Sequence, residues 1–164
     1  MNDINRIQPK LVISYNYMHI VSKNVIDILG KRIINMHISY LPWNRGANPN
    51  FWSFVENTPK GVTIHLLTEK LDQGDILFQK EVHMDPKNET FVSSYDKLHT
   101  EICDLLLDNW DAILNGNQVP CKQAMVGSYH SISDFERVYS KLNFSWTDNV
   151  DDVVRQYESL MENE

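Results

Sequence analysis

An amide and an imidazole two residues apart, Asn35 and His37, close the short apolar run that begins at Ile34. Side chains alternate across a strand, so these two point to one side while Met36 points to the other. If the strand belongs to a parallel sheet, they stand at its carboxyl end, where open α/β sheets place their ligand crevice. Such a pair can orient a carbonyl and stabilise the charge that builds on its oxygen during nucleophilic attack. It lacks a base, and the candidate is Asp72, in the turn-rich stretch "EKLDQGD". A plainer account stands beside this one. His37 could be a satisfied core histidine, Asn35 a strand-end cap, and Asp72 a turn residue bonding its own backbone.

The elements that would hold these groups follow from pattern. "LVISY" (Leu11 to Tyr15) reads as a strand apolar enough to be covered on both faces. Ser22 opens a brief helix through Ile28 that Gly30 closes, and "RIIN" is a second strand. Strand, helix and strand in that order predict a βαβ unit and a parallel sheet. Asn48-Pro49 starts a helix through Val55, "GVTIHLL" is a third strand with period-two alternation, and "ILFQKEVHM" is a fourth. Phe91, Tyr95, Leu98, Ile102 and Leu105 mark the apolar face of a long helix from Thr90 to Leu114, ended by Asn115-Gly116. Ser133 with Glu136 predicts a capping box opening a helix at Asp134, and a last helix spans Val150 to Leu160.

Composition bounds the function. The 164 residues suffice for one modest core, with 42% hydrophobic and 23% charged residues. A net charge of −7, with 15 basic residues against 22 acidic ones and no basic run, argues against a nucleic-acid partner. No apolar run approaches the roughly 20 residues that cross a bilayer, and "MNDINRIQPK" lacks the apolar core of a secretory signal, which predicts a cytoplasmic protein without membrane partners. Cys103 and Cys121 are read as free thiols, Cys103 as a buried one. The six histidines show no zinc-type spacing, so no metal is expected, and no phosphate-cradling glycine loop or GxSxG elbow occurs.

The run "INMHISYLPWNRGANPNFWSFVENTPKGVTIHLLTEKLDQGDIL" closely resembles the catalytic core of the folate-dependent formyltransferases. It carries, in order, Asn-x-His, the Leu-Pro and Arg-Gly loop, Gly-Val-Thr-Ile and the Asp-x-Gly-Asp turn; "LVISYNYMHIV" resembles the family's preceding strand and cofactor loop. The resemblance implies an α/β, Rossmann-like core with a mainly parallel sheet over residues 1–116, lacking the family's first strands, and a small helical C-terminal extension over 117–164. It implies 10-formyltetrahydrofolate as formyl donor and a primary amine as acceptor. Asn35 would hold the formyl oxygen, His37 would donate to the oxyanion, and Asp72 would orient His37 and help move the amine's proton. Pro42, Arg45 and Gly46 would shape the wall of the substrate loop, with Leu41-Pro42 often cis in the family. The pterin would lie against backbone of two loops: Tyr15, Asn16, Tyr17, Met18, His19 and Ile20 in one, Leu71, Gly74 and Asp75 in the other. Asn16 stands where the family commonly has Gly, and Asn tolerates the left-handed conformation better than most residues.

The wording of this run and of the tail "GSYHSISDFERV" is most similar to enzymes that formylate nucleotide-linked amino sugars. Glycinamide ribonucleotide and methionyl-tRNA remain as alternative acceptors, the latter disfavoured by the acidic balance. Trp43, Phe51, Trp52 and Tyr129 could stack on a sugar or base, or serve the core instead. Family members carry a longer segment ahead of the strand matched by "LVISY", where this sequence has ten residues. Its absence predicts an exposed apolar edge, covered by a second copy or a separate N-terminal partner chain, or else an inactive homologue that at most binds ligand.

Overall fold

The computed structural model describes residues 2–123 and 127–163. After a short helix α1 (Asn2–Ile7), strand β1 (Val12–Tyr15) and strand β2 (Ile33–His37) pair in parallel through helix α2 (Lys23–Leu29). Ser22 is the residue before α2 and Gly30 closes it at φ +53, a conformation that favours glycine. The expected βαβ unit is therefore present. Next come strand β3 (Arg45–Gly46), helix α3 (Pro49–Val55), strand β4 (Gly61–Leu66) and strand β5 (Ile76–Glu81).

The main sheet has the order β1-β2-β4-β5, and it is mixed rather than mainly parallel. Only β1–β2 is parallel among these pairs; β2–β4 and β4–β5 are antiparallel. The reason is where α3 goes. A parallel partner needs a crossover that returns the chain to the starting end of the sheet. Between β2 and β4 the chain instead stays at the carboxyl end of β2, where α3 packs on other helices, and re-enters from that same end. β1 forms the sheet edge with Ile13 37% exposed, so it is covered less than its apolar composition suggests.

Helix α4 (Phe91–Asp108) covers one sheet face, burying Leu98 and Ile102 against Ile34, Met36, Ile38, Val62 and Ile64. Tyr95, counted with the apolar stripe, is exposed. The single helix predicted to Leu114 is two: α4 stops at Asp108 and α5 (Trp110–Asn115) follows, ended by Gly116 at φ +65. At the break the Asn109 side chain donates to the Leu105 carbonyl, competing with the backbone ladder. Beyond it, strand β6 (Tyr129–His130) pairs with β3, followed by helices α6 (Ile132–Tyr139) and α7 (Val150–Glu162). The capping box of α6 lies two residues earlier than predicted, with Ser131 and Asp134 exchanging bonds of 2.9 and 3.1 Å. Asp134 sits three residues after Ser131, the spacing the reciprocal bonds need.

A second core joins Phe51, Trp52 and Phe54 of α3 to Phe91, Phe135, Leu142, Val150 and Val153. Burying each such side chain contributes about 1.5–3 kcal/mol, which fastens the C-terminal helices to the loop after β2. Phe51 and Trp52 are thus core residues, Trp43 is half-buried and Tyr129 is exposed. Cys103 and Cys121 are free, as expected, but both are exposed, Cys103 on α4 beside the Tyr15 side chain. No described helix is long and apolar enough to cross a membrane.

Candidate active site

Ile34 and Met36 enter the core beneath α4, so Asn35 and His37 occupy the opposite face of β2. The antiparallel register sets Asn35 directly across from His65 and His37 across from Thr63. An irregularity between Ile64 and His65 marks where β4 turns toward the 67–75 loop. In that loop Asp72 adopts φ +51 and is 7% exposed, folded back beneath the strand end.

Four groups converge on the Asp72 carboxylate. The Asn35 amide nitrogen Nδ2 donates to Oδ1 at 3.3 Å, and the Gly46 backbone N–H donates to Oδ2 at 2.9 Å. His37 Nε2 lies 3.8 Å from Oδ2, and His65 Nε2 lies 3.6 Å from Oδ1. Gly46 can serve because it has φ +91 and no side chain: a Cβ there would stand 2.2 Å from the His130 carbonyl oxygen on β6.

Burial alone would raise the pKa of Asp72. The charge interaction with His37, the contact with His65 and the Gly46 N–H outweigh it and bring the carboxyl down to about 2. Asp72 is therefore ionised. For His37 the balance goes the other way: burial lowers its pKa, and Asp72 only partly opposes that. The neutral ring has a defined tautomer. Nε2 is 3.2 Å from the Asn44 carbonyl oxygen and faces the carboxylate beyond, both of them acceptors, so Nε2 carries the proton. Nδ1, the basic nitrogen, makes no hydrogen bond with a described residue.

The remaining predicted residues fall into two groups. Pro42 follows a cis peptide bond, and Arg45 donates to Gln123 Oε1 at 3.1 and 2.6 Å. Gly74 and Asp75 sit in the Asp72 loop, with the Asp75 carbonyl accepting from Leu66 N at 2.9 Å, while Leu71 is exposed. In the other loop Asn16 has φ +49, the left-handed conformation that its residue type permits. Tyr17, Met18, His19 and Ile20 project outward, Met18 91% and Ile20 90% exposed. Tyr15 differs: its hydroxyl bonds His99 on α4, so its side chain lies on the far side of the sheet from Asn35 and His37.

Several residues outside the motif complete the site. Gln123 Nε2 donates to the carbonyls of Asp72 and Gly74 at 2.9 and 2.8 Å, linking that loop to Arg45. Asn44, fully buried, is held by Ser128 and Thr58 and presents its carbonyl to His37. His65 faces Asn35 from β4. Its only signal in the sequence was its place on the Thr63 side of the period-two strand. Among the described residues no group of three or more His, Cys, Asp or Glu could hold a metal ion.

The Formyl transferase family profile matches residues 1–108. The formyltransferase PseJ from Anoxybacillus kamchatkensis, crystallised with UDP-4,6-dideoxy-4-formamido-L-AltNAc and tetrahydrofolate, has a similar structure with a TM-score of 0.83 and 40% identity, over 88% of this chain and 76% of that one. The methionyl-tRNA formyltransferase of Fusobacterium nucleatum is 35% identical over 124 residues, 75% of this chain and 40% of its own. A dTDP-4-amino-4,6-dideoxyglucose formyltransferase of Mycobacterium tuberculosis is 31% identical over 128 residues, 78% and 53% of the two chains. The chain thus spans about half or less of the curated relatives it matches. With its Asn-x-His strand end and its buried aspartate in a shared fold, the chain belongs to the formyl transferase family.

Proposed function

We propose that this chain transfers a formyl group from 10-formyltetrahydrofolate to the amine of a nucleotide-linked amino sugar. The observation that carries the proposal is the His37 ring: neutral, anchored at Nε2–H, and unpaired at Nδ1 beside an ionised Asp72. That arrangement suits acyl transfer to an amine. The amine lone pair attacks the formyl carbon, forming the new C–N bond, and the proton it sheds passes to His37 Nδ1. The resulting imidazolium carries a proton at both nitrogens, its Nε2–H facing Asp72. Nδ1–H then donates to the tetrahedral oxyanion, and as the oxyanion collapses to the carbonyl and the bond to the folate nitrogen breaks, that nitrogen takes the proton from Nδ1 and leaves as the folate N–H. His37 is accordingly a donor at Nδ1 only after it has been a base. A donor to such an oxyanion contributes about 3 kcal/mol in comparable sites.

Backbone of the 15–20 and 71–75 segments would hold the pterin, consistent with Asn16 in a left-handed conformation and with Gln123 fixing the second segment. The sugar acceptor is favoured by the 40% identity to PseJ and by a net charge of −7, which opposes an RNA backbone.

The test is formyl transfer from 10-formyltetrahydrofolate to a panel of UDP- and dTDP-linked amino sugars, glycinamide ribonucleotide and methionyl-tRNA, with His37→Ala alongside. Turnover confined to the sugars and abolished in His37→Ala is expected. Unchanged turnover in the variant removes His37 from the chemistry, and turnover of methionyl-tRNA alone replaces the acceptor.

A further inference from the structure

We infer that His65 is a positioning residue that, with Asp72, holds the Asn35 amide so that its oxygen meets the acceptor. His65 is 2% exposed on β4, directly across from Asn35. Its Nδ1 lies 2.9 Å from the Leu66 carbonyl oxygen, which can only accept, so Nδ1 carries a proton. Its Nε2 lies 3.3 Å from Asn35 Nδ2, which can only donate, so Nε2 receives that bond with its lone pair. The second hydrogen of the same amide goes to Asp72 Oδ1 at 3.3 Å. Asp72 is ionised and offers no proton, so the group facing it must be the amide nitrogen and not its oxygen.

Both Asn35 N–H groups therefore point inward, and the planar amide turns Oδ1 the opposite way, toward the crevice. An oxygen there accepts. Asn35 is thus set to hold an N–H of the incoming amine rather than the formyl oxygen. Together with His37 Nδ1 it presents two acceptors to a nucleophile that brings N–H groups. With His65 removed, only the bond to Asp72 remains, and the amide can tilt about that single contact and carry Oδ1 out of line with the amine.

The inference rests on the formyltransferase reading only for its turnover readout, so two measurements are paired. The first is a double-mutant cycle with His65→Met, which keeps volume but loses the acceptor, and Asn35→Ala. His65→Met is expected to lower kcat roughly tenfold, the scale of one buried hydrogen bond, and to do nothing further once Asn35 is already Ala. His65→Gln, whose Oε1 can take the place of Nε2, is expected to recover most of the loss. Equal losses in both backgrounds would overturn the inference. The second is hydrogen exchange of the Asn35 side-chain NH2 by NMR, which needs no turnover. Slow exchange that quickens about tenfold in His65→Met and slows again in His65→Gln supports it. An Asn35 amide indifferent to both variants refutes it, whether or not the chain proves active.

Discussion

Asp72, in the loop after β4, accepts the backbone N–H of Gly46 in β3 at 2.9 Å, although α3 and β4 lie between them in the chain. The bond ties the turn after β4 to the loop after β2 and leaves the other carboxylate oxygen for Asn35. Asp72→Asn keeps one acceptor for Gly46 but turns an NH2 group toward the Asn35 NH2, so two donors face each other. Turnover is expected to fall at least about 100-fold, with folate affinity changed less than about threefold. Steady-state kinetics and folate titration check this. A matching loss of folate affinity would make Asp72 a shaping residue of its loop.

Acid should remove activity through His37. Its pKa lies below the ordinary 6.5 because burial disfavours the charged ring, and the reaction needs that ring neutral at the start. The kcat profile is expected to fall with decreasing pH at a midpoint below 6.5, and His37→Gln should lack that limb. Stability follows the same direction. The unfolded chain binds a proton at its ordinary histidine pKa while the folded ring resists it, so stability declines as pH falls below 6.5. Asp72 adds a second decline. Its stabilisation, on the order of 2 kcal/mol, is complete above 3.8 and lost as pH falls through about 2. Denaturant melts across pH measure both.

Gln123→Ala should act on the folate side. It deletes two bonds to the Asp72 and Gly74 carbonyls and frees the guanidinium of Arg45. A rise in KM for the formyl donor of about tenfold, with a smaller change in kcat, is expected from losing two partly buried hydrogen bonds. Equal changes in both constants would assign Gln123 to the chemistry.

Gly74→Ala tests the close approach of loop and strand. A Cβ at that position would lie 1.6 Å from the Leu66 carbonyl oxygen, a backbone atom that cannot move aside alone. The Asp72 loop must shift, so activity should be lost together with about 2 kcal/mol or more of stability. Activity assays with thermal melts decide it, and a fully active, fully stable variant would contradict the packing.

Asn35 and His37 were legible because strand alternation needs only local sequence. The βαβ unit and α3 were legible for the same reason, bracketed by Ser22, Gly30 and Asn48-Pro49, although neither Ser22 nor Asn48 makes a side-chain cap bond. Asp72 could be nominated as a base from its turn alone, but setting it against Asn35 and His37 needed the family motif, since nothing local says that a turn residue folds back across a neighbouring strand. His65 and Gln123 were hidden by long-range facts, the antiparallel register of β4 and the return of the tail past the 67–75 loop. Local competition misled in two places. Asn109 breaks the long helix through its own side chain, and Ser131 with Asp134 caps α6 where Ser133 with Glu136 was the stronger pattern.

The pairing of Asn35 with His65 and of His37 with Thr63 makes catalysis a reporter of strand alignment. Sliding β4 by a single residue would turn both partners to the helix-covered side while leaving the protein collapsed and its helices formed. During refolding, regained turnover would therefore trail the return of helical circular dichroism, timing the moment at which the two strands settle into step.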